Sequence, residues 1–350
     1  MKIGLIGLPG SGKSSCFAAL TGLPAQPSGG GERVGVVQVP EPRLLRLAEI
    51  HNSAKITYAE ITLVDTDPIQ SGETGEQVEK HLSRLAREAE AFAIVLQCFG
   101  DLDHTGAPLD ARGDLETVLM ELTMADLGIV TRRLERIEGG AKKDRNAAEV
   151  QLLEQLQSAL GTGKPVIEMG LTPEQQRLLR GQTLVSTLPL LIACNVGEDD
   201  LPGEKAAGAV ALADEQGLPH LHFCAALEME IAQLPPEEQT EFLADYGLEA
   251  SARDRFIRAA YDLLHLVTFL TGGPTEAHAW PVHQGATAPE AAGKIHTDLQ
   301  NGFIRAETVA FTDLDQYGTM AECRKHGLVR LEGKEYLVKD GDVLDIRFSR

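Results

Sequence analysis

Short apolar runs alternate along the first half of the chain with segments whose apolar residues recur every three or four positions. Lys2–Ile6 is the first run, and residues 13–21 then carry apolar side chains at helical spacing. Residues 34–39 and 59–65 read as strands, the second closing on an aspartate. Residues 92–99, 190–195 and 221–224 continue the series. Strands separated by helical segments predict an α/β fold with an open, mostly parallel sheet and helices on both faces.

Between the fifth and sixth of these elements the texture changes. From 115 to 137, Met120, Met124, Leu127, Thr131 and Leu134 form a short heptad-like seam that ends at Glu138-Gly139-Gly140-Ala141. Lys142, Lys143 and Arg145 follow at this tip. A second helical stretch, 147–160, carries Val150, Leu153, Leu156 and Leu160, and Pro173 opens a third helix. Residues 113–186 are therefore expected to form an antiparallel helical (coiled-coil) arm inserted into the α/β domain. The alternative is that these helices pack on the sheet.

Beyond Tyr261-Asp262-Leu263-Leu264 the pattern shifts to a small α+β module. Gly272-Gly273-Pro274 is a linker or turn, and a helix opened by Pro289 closes near Gly302. The turn Lys339-Asp340-Gly341-Asp342 joins expected strands at 335–338 and 343–348. The expected domains are 1–112 and 187–265 for the two parts of the α/β domain, 113–186 for the arm, and 266–350 for the last module.

With 43% hydrophobic and 24% charged residues the composition is that of a folded globular chain. Its 52 Asp and Glu against 32 Lys and Arg give a formal net charge of -20. That excess argues against general coating of nucleic acid and leaves room for a local basic patch. No apolar stretch is long enough to span a bilayer, so no membrane contact is expected, and no DNA partner either. Five cysteines, at 16, 98, 194, 224 and 323, lie far apart and read as buried reduced thiols of a cytoplasmic protein.

The chemistry is concentrated near the start. Gly7-Leu8-Pro9-Gly10-Ser11-Gly12-Lys13-Ser14 is a phosphate-binding loop set between a strand and a helix. Its glycines let backbone N–H groups converge on a phosphate, and the helix N-terminus adds a positive end. Nucleotide contacts are expected from Pro9, Gly10, Ser11, Gly12, Lys13, Ser14 and Ser15. Lys13 supplies a point charge to the β- and γ-phosphates, and the Ser14 hydroxyl is an Mg2+ ligand. Asp65, at the end of its strand, is where such proteins keep the carboxylate that orients the metal. Leu191-Ile192-Ala193-Cys194-Asn195-Val196-Gly197-Glu198 runs a strand into Asn-x-x-Glu. A guanine-specific site would carry Asn-Lys-x-Asp here. Val196 lacks the lysine stem and Glu198 shifts the carboxylate, so guanine is not favoured.

These motifs, in this order, are joined by Gly35-Val36-Val37, Pro40-Glu41-Pro42-Arg43-Leu44, Ala125-Asp126-Leu127 and Cys224-Ala225-Ala226. The longest stretch is Gly285-Ala286-Thr287-Ala288-Pro289-Glu290-Ala291-Ala292-Gly293-Lys294-Ile295-His296-Thr297-Asp298, followed by Gly302-Phe303-Ile304-Arg305-Ala306-Glu307. Over nearly its whole length the chain resembles the YchF subfamily of Obg-type P-loop NTPases, the Obg-like ATPases. The resemblance implies a coiled-coil insertion at 113–186 and a C-terminal TGS-like β-grasp domain associated with RNA and ribosome contact. It implies ATP, with GTP as the second candidate, Mg2+ as cofactor, and a base pocket that includes Asn195, Val196, Glu198, Cys224 and Ala225.

Several positions depart from the family pattern. Asp-x-x-Gly is here Asp65-Thr66-Asp67-Pro68, and proline has no N–H for a γ-phosphate. The first-switch threonine falls on Gly29 in Ser28-Gly29-Gly30-Gly31, and the P-loop asparagine is Gly10. His104, in a loop shorter than the family's, lies near a histidine proposed to act in hydrolysis and is the candidate catalytic residue. The expectation is a slow, ribosome-associated ATPase; the alternative is a hydrolysis-deficient, ATP-bound switch or scaffold. A metabolic kinase is weaker, because no substrate motif accompanies the loop. The 266–350 module carries 12 acidic and 9 basic residues, so any RNA contact is expected to be local. Lys294, His296 and Arg305, with the arm-tip Lys142, Lys143 and Arg145, are the groups expected to make it.

Overall fold

A computed structural model describes residues 1–25, 31–69, 75–140 and 146–349. The chain forms two compact units, 1–37 with 62–259 and 38–61 with 260–350. Gly29, Ser28 and the arm-tip Lys142, Lys143 and Arg145 lie outside the described residues.

In the first unit, β1 (Lys2–Ile6) runs through the glycine turn into α1 (Lys13–Thr21), and β2 (Arg33–Gln38) follows. The chain then gives α2 (Pro42–His51) and β3 (Ile56–Thr57) to the second unit before returning as β4 (Glu60–Asp65). α3 (Gly75–Ala86), β5 (Ala91–Cys98), α4 (Ala111–Gly139), α5 (Ala147–Gly161), α6 (Pro173–Leu178), β6 (Leu190–Val196), α7 (Ala207–Glu215) and β7 (His220–Phe223) come next. α8 (Ala225–Ile231), α9 (Pro236–Asp245) and α10 (Ala252–Leu263) complete the series. The sheet order is β2-β4-β1-β5-β6-β7, with β4, β5, β6 and β7 joined in parallel registers around β1. Every residue of β5 is buried, as its unbroken apolar run requires of a central strand covered on both faces.

The helical insertion exists, and α4 serves two partners. Asp110 caps it, accepting from the Gly113 N–H at 3.0 Å, and its 29 residues span about 43 Å. Leu115, Val118 and Leu122 in its first half pack into the apolar core over the sheet. Val130 and Leu134 in its second half pack instead with Leu152, Leu153, Leu156 and Leu160 of α5. The heptad-like seam is thus corrected in its first half, where Met120 and Met124 are 55% and 53% exposed. A helix that must face a sheet before it faces another helix turns a different stripe inward.

One buried carboxylate pins the end of the insertion. Asp126, fully buried, accepts from the backbone N–H of Val185 at 2.6 Å and of Ser186 at 2.9 Å, and from the Ser186 hydroxyl at 2.5 Å. Burial, partly offset by these bonds, raises its pKa from 3.8 to about 6. The resulting stability is fully present below 3.8 and is lost as pH rises through about 6. Asp126→Ala strands three donors, and at about 1–3 kcal/mol for each unsatisfied buried group the unfolding free energy should fall by at least about 3 kcal/mol. Denaturant titration reads the change directly. A loss under about 1 kcal/mol would mean that water takes over these donors.

In the second unit, β8 (Leu266–Gly272) and β9 (Ala277–His283) form an antiparallel hairpin, so Gly272-Gly273-Pro274 is its turn. α11 (Ala288–Ile295), α12 (Thr297–Asn301), β10 (Phe303–Ala310), α13 (Phe311–Tyr317), α14 (Met320–Lys325), β11 (Arg330–Glu332) and β12 (Asp342–Phe348) follow. The sheet order is β11-β10-β12-β8-β9-β3. Ala291 of α11 packs with Phe269, Val282 and Leu344, placing the helix on one face of the sheet as a β-grasp fold does. Leu44 and Leu47 of α2 are fully buried.

Two local expectations differ. The helix opened by Pro289 is two helices, because His296 is extended at φ -164 and its Nδ1 accepts from the Asp298 N–H at 3.1 Å. Residues 335–338 are not a strand. The Tyr336 carbonyl accepts from the Ala288 N–H at 2.8 Å, and the Val338 N–H donates to the Ala286 carbonyl at 2.9 Å, so the loop before α11 takes the bonds a ladder would need. All five cysteines are free and buried. No helix of the described residues is long and apolar enough to cross a membrane.

Candidate phosphate-binding site

The glycine turn sits where β1 leaves the centre of the sheet. Gly10 and Gly12 have φ of 82° and 80°, a left-handed backbone that a β-carbon would oppose, and the turn closes around them. Gly12 caps α1 with no side-chain bond, so the first-turn N–H groups have no acceptor in the helix and point out of its positive end. The Ser11 hydroxyl is buried and has no partner among the described residues.

Three strand ends supply the side chains. Asp65, buried at the end of β4, accepts from the Lys13 ammonium and stands 3.1 Å from the Ser14 hydroxyl, which donates to its other oxygen. Lys13 also donates to the Thr66 carbonyl. Burial first, and then the Asp65 charge, push the Cys16 thiol well above its ordinary range, which favours the protonated form. Pro68 offers no N–H, and the next N–H, of Ile69, is turned back to the Gly7 carbonyl at 3.0 Å.

Asn195, buried at the end of β6, ties two loops together. Its Nδ2 donates to the Ser11 carbonyl at 3.3 Å, and its Oδ1 accepts from the Ala225 N–H at 3.1 Å. Cys224 and Ala225 are buried beside it. Val196 is 2% exposed and belongs to the apolar core, so it offers no stem over a base, whereas Glu198 is exposed. His104 lies at the turn: a β-carbon built on Gly10 would be 2.9 Å from the His104 Cβ. Asp103 folds this loop by accepting from Thr105 and Ala107 N–H groups at 2.8 and 2.9 Å.

Pro9, Ser15 and the remaining loop residues thus gather with Lys13, Ser14, Asp65, His104 and Asn195 around one turn, and Glu198, exposed, is near enough for its charge to add to the burial that raises the Cys224 thiol. Three further side chains, of Arg33, Gln97 and His81, complete the setting without having stood out in the sequence. Arg33 lies 3.8 Å from Asp65 and 4.6 Å over the Phe17 ring. Gln97, at the end of β5, donates to the carbonyls of Phe99 and Leu102 at 3.2 and 3.0 Å and so holds the His104 loop. Thr66 Oγ1 meets His81 of α3 at 3.2 Å. A polar residue closing an apolar strand was the available signal for Gln97.

A glycine turn between strand and helix, with its lysine and serine facing the carboxylate of a neighbouring parallel strand, defines the P-loop NTPase class. The C-terminal family model YchF-GTPase_C, described as "Protein of unknown function (DUF933)", matches residues 266–349. The "Ribosome-binding ATPase YchF" of Bacillus subtilis is 38% identical over 100% of this chain and 99% of its own. The protein of that name from Escherichia coli O157:H7 is 36% identical over 99% of both. In fold the chain is similar to the solved Schizosaccharomyces pombe YchF GTPase, with a TM-score of 0.81 over 99% of this chain and 97% of that one, at 23% identity. The chain belongs to the YchF family.

Proposed function

We propose that this chain binds ATP with Mg2+ at the glycine turn, hydrolyses it slowly and associates with the ribosome. The observation that carries the reading is the meeting of Lys13, Ser14 and Asp65 beneath the uncapped N-terminus of α1. Full-length relatives called ribosome-binding ATPases support the partner and the nucleotide.

Mg2+ prefers hard oxygen ligands, and the Ser14 hydroxyl and Asp65 carboxylate fit it, while the buried Ser11 hydroxyl of the same turn has no partner among the described residues. When bound there it supplies charge neutralisation to the phosphate oxygens. Lys13 adds the point charge, the N–H groups of 10–14 hold phosphate oxygens, and Asn195 keeps the base-side loop joined to the turn. His104 is the residue we assign to orienting the attacking water.

A second reading, an ATP-bound switch or scaffold that barely hydrolyses, is favoured by Pro68 and by the Ile69 N–H already used inside the protein. Paired ATP and GTP titrations with single-turnover hydrolysis separate the readings. Because Val196 is buried and Glu198 exposed, ATP should bind at least as tightly as GTP. A tenfold preference for GTP, about 1.4 kcal/mol, would overturn the base assignment. In the same assay, a His104→Ala rate equal to the parent's removes the histidine from catalysis. Lys294, His296 and Arg305, all exposed, are the groups of the last module we assign to RNA contact, with Lys142, Lys143 and Arg145 at the arm tip. Failure of the parent to pellet with purified ribosomes, with and without ATP, removes the ribosome part.

A further inference from the structure

The acidic body carries one strongly basic cleft. α3 presents Lys80 and Arg84, four residues apart on one face, and Arg87 follows in the turn just past its last residue, Ala86. α4 presents Arg132, Arg133 and Arg136 toward the same space, and Gly181, Gln182 and Thr183 close its end. The cavity holds about 430 Å³, and of its lining side chains six are cationic and one, Glu79, anionic. In a chain of formal net charge -20 this clustering is far from the average surface.

Part of the charge is already paired. Lys80 meets Glu76 at 2.7 Å, Arg84 meets Glu32 at 3.3 Å, Arg133 meets Glu149 at 2.6 Å, and Arg132 pairs with Glu79. Those pairs hold the walls in place. Arg87 and Arg136 have no ion pair among the described residues and are exposed, so their guanidinium groups remain for a ligand.

We propose that this cleft binds the phosphate backbone of an RNA strand. Five of the six cations are arginine, whose planar fork grips phosphate oxygens in pairs and is more easily dehydrated than an ammonium. The volume suits a short stretch of one strand and not a duplex. The same helix α3 also carries His81, which meets Thr66, whose carbonyl accepts from Lys13. The proposal deepens the ribosome-associated reading by naming a surface at the root of the arm, apart from its tip and from 266–350.

The test uses the full chain, a fluorescent single-stranded RNA and a salt series. Each phosphate contact to a single strand contributes about 0.7 to the slope of log affinity against log salt. The Arg87→Ala, Arg136→Ala pair should therefore bind at least tenfold more weakly and lose about 1.4 from that slope. Arg87→Lys with Arg136→Lys should retain most of the slope, and ATP affinity should be unchanged in all variants. RNA affinity and slope equal to the parent's in the alanine pair overturn the proposal. Poly-glutamate bound as tightly as RNA, and lost in the same variant, overturns it in favour of an acidic peptide. Ribosome pelleting is the separate arm: a parent that binds RNA through the cleft yet never pellets with ribosomes overturns the ribosome reading and leaves the cleft standing.

Discussion

Lys13→Ala should weaken nucleotide binding by about 2–4 kcal/mol, the worth of a charge-assisted contact to phosphate in a partly buried site. The structure adds a second effect. Lys13 and Asp65 are a buried pair, with side chains 6% and 4% exposed, and removing the lysine takes away the nearer cation of a buried carboxylate. Breaking such a pair costs about 3–5 kcal/mol in general. Here the loss should be nearer about 2 kcal/mol, because Arg33 remains 3.8 Å from the carboxylate and Ser14 still donates to it. Asp65→Asn placed on top of Lys13→Ala should recover most of the stability and none of the affinity. Calorimetric unfolding with ATP titration on the two variants checks both halves. An unaltered ATP affinity in Lys13→Ala would end the P-loop assignment.

The parent should hydrolyse ATP about 100- to 1000-fold more slowly than relatives with Asp-x-x-Gly, and Pro68→Gly should recover part of that rate. Catalysis in this fold depends on backbone donors that meet charge developing on the γ-phosphate, and one such donor is worth about 2.7–4 kcal/mol. Position 68 has no N–H to give. Its neighbour Ile69 donates to Gly7 at 3.0 Å, which anchors the segment against the first strand and keeps that N–H out of reach. A glycine at 68 restores the donor while leaving the Ile69 anchor intact. ATP affinity should change less than the rate, because the donor matters most as charge builds. Single-turnover rates decide it: a parent already as fast as intact relatives, or a Pro68→Gly variant no faster than the parent, would sink this account.

Most of the first unit was legible in the sequence, for a physical reason. A strand buried on both faces leaves an unbroken apolar run, and β1, β4, β5 and β6 each lie within a residue or so of where such runs place them. The glycine turn was legible because its residues have few other uses. What escaped depended on partners far away in the chain. Ile56–Thr57 is too short to carry a pattern, yet it pairs with Ala277–His278. Residues 335–338 are apolar enough for a strand, but the loop at 286–288 takes their backbone bonds. Arg33, Gln97 and His81 are single polar side chains, ordinary until β2, β5 and α3 set them around the turn. The α4 seam was misplaced because a helix with two successive partners has no single stripe.

The excursion of α2 and β3 has a practical side for anyone dissecting the protein. The chain passes between its two units three times, after Val37, after Ile61 and after Ala259. A stop codon placed before β8 would therefore not yield a clean first unit. It would leave Leu44 and Leu47, fully buried in the intact chain, on an orphaned helix spliced between β2 and β4. Such a truncation exposes the apolar face of that helix, and loss of ribosome or nucleotide binding in it would report misassembly and not a missing contact. Point substitutions on the exposed faces are the sound instrument here. A fragment built to stand alone needs the excursion between the end of β2 and the start of β4, residues 39–59, replaced by a short turn.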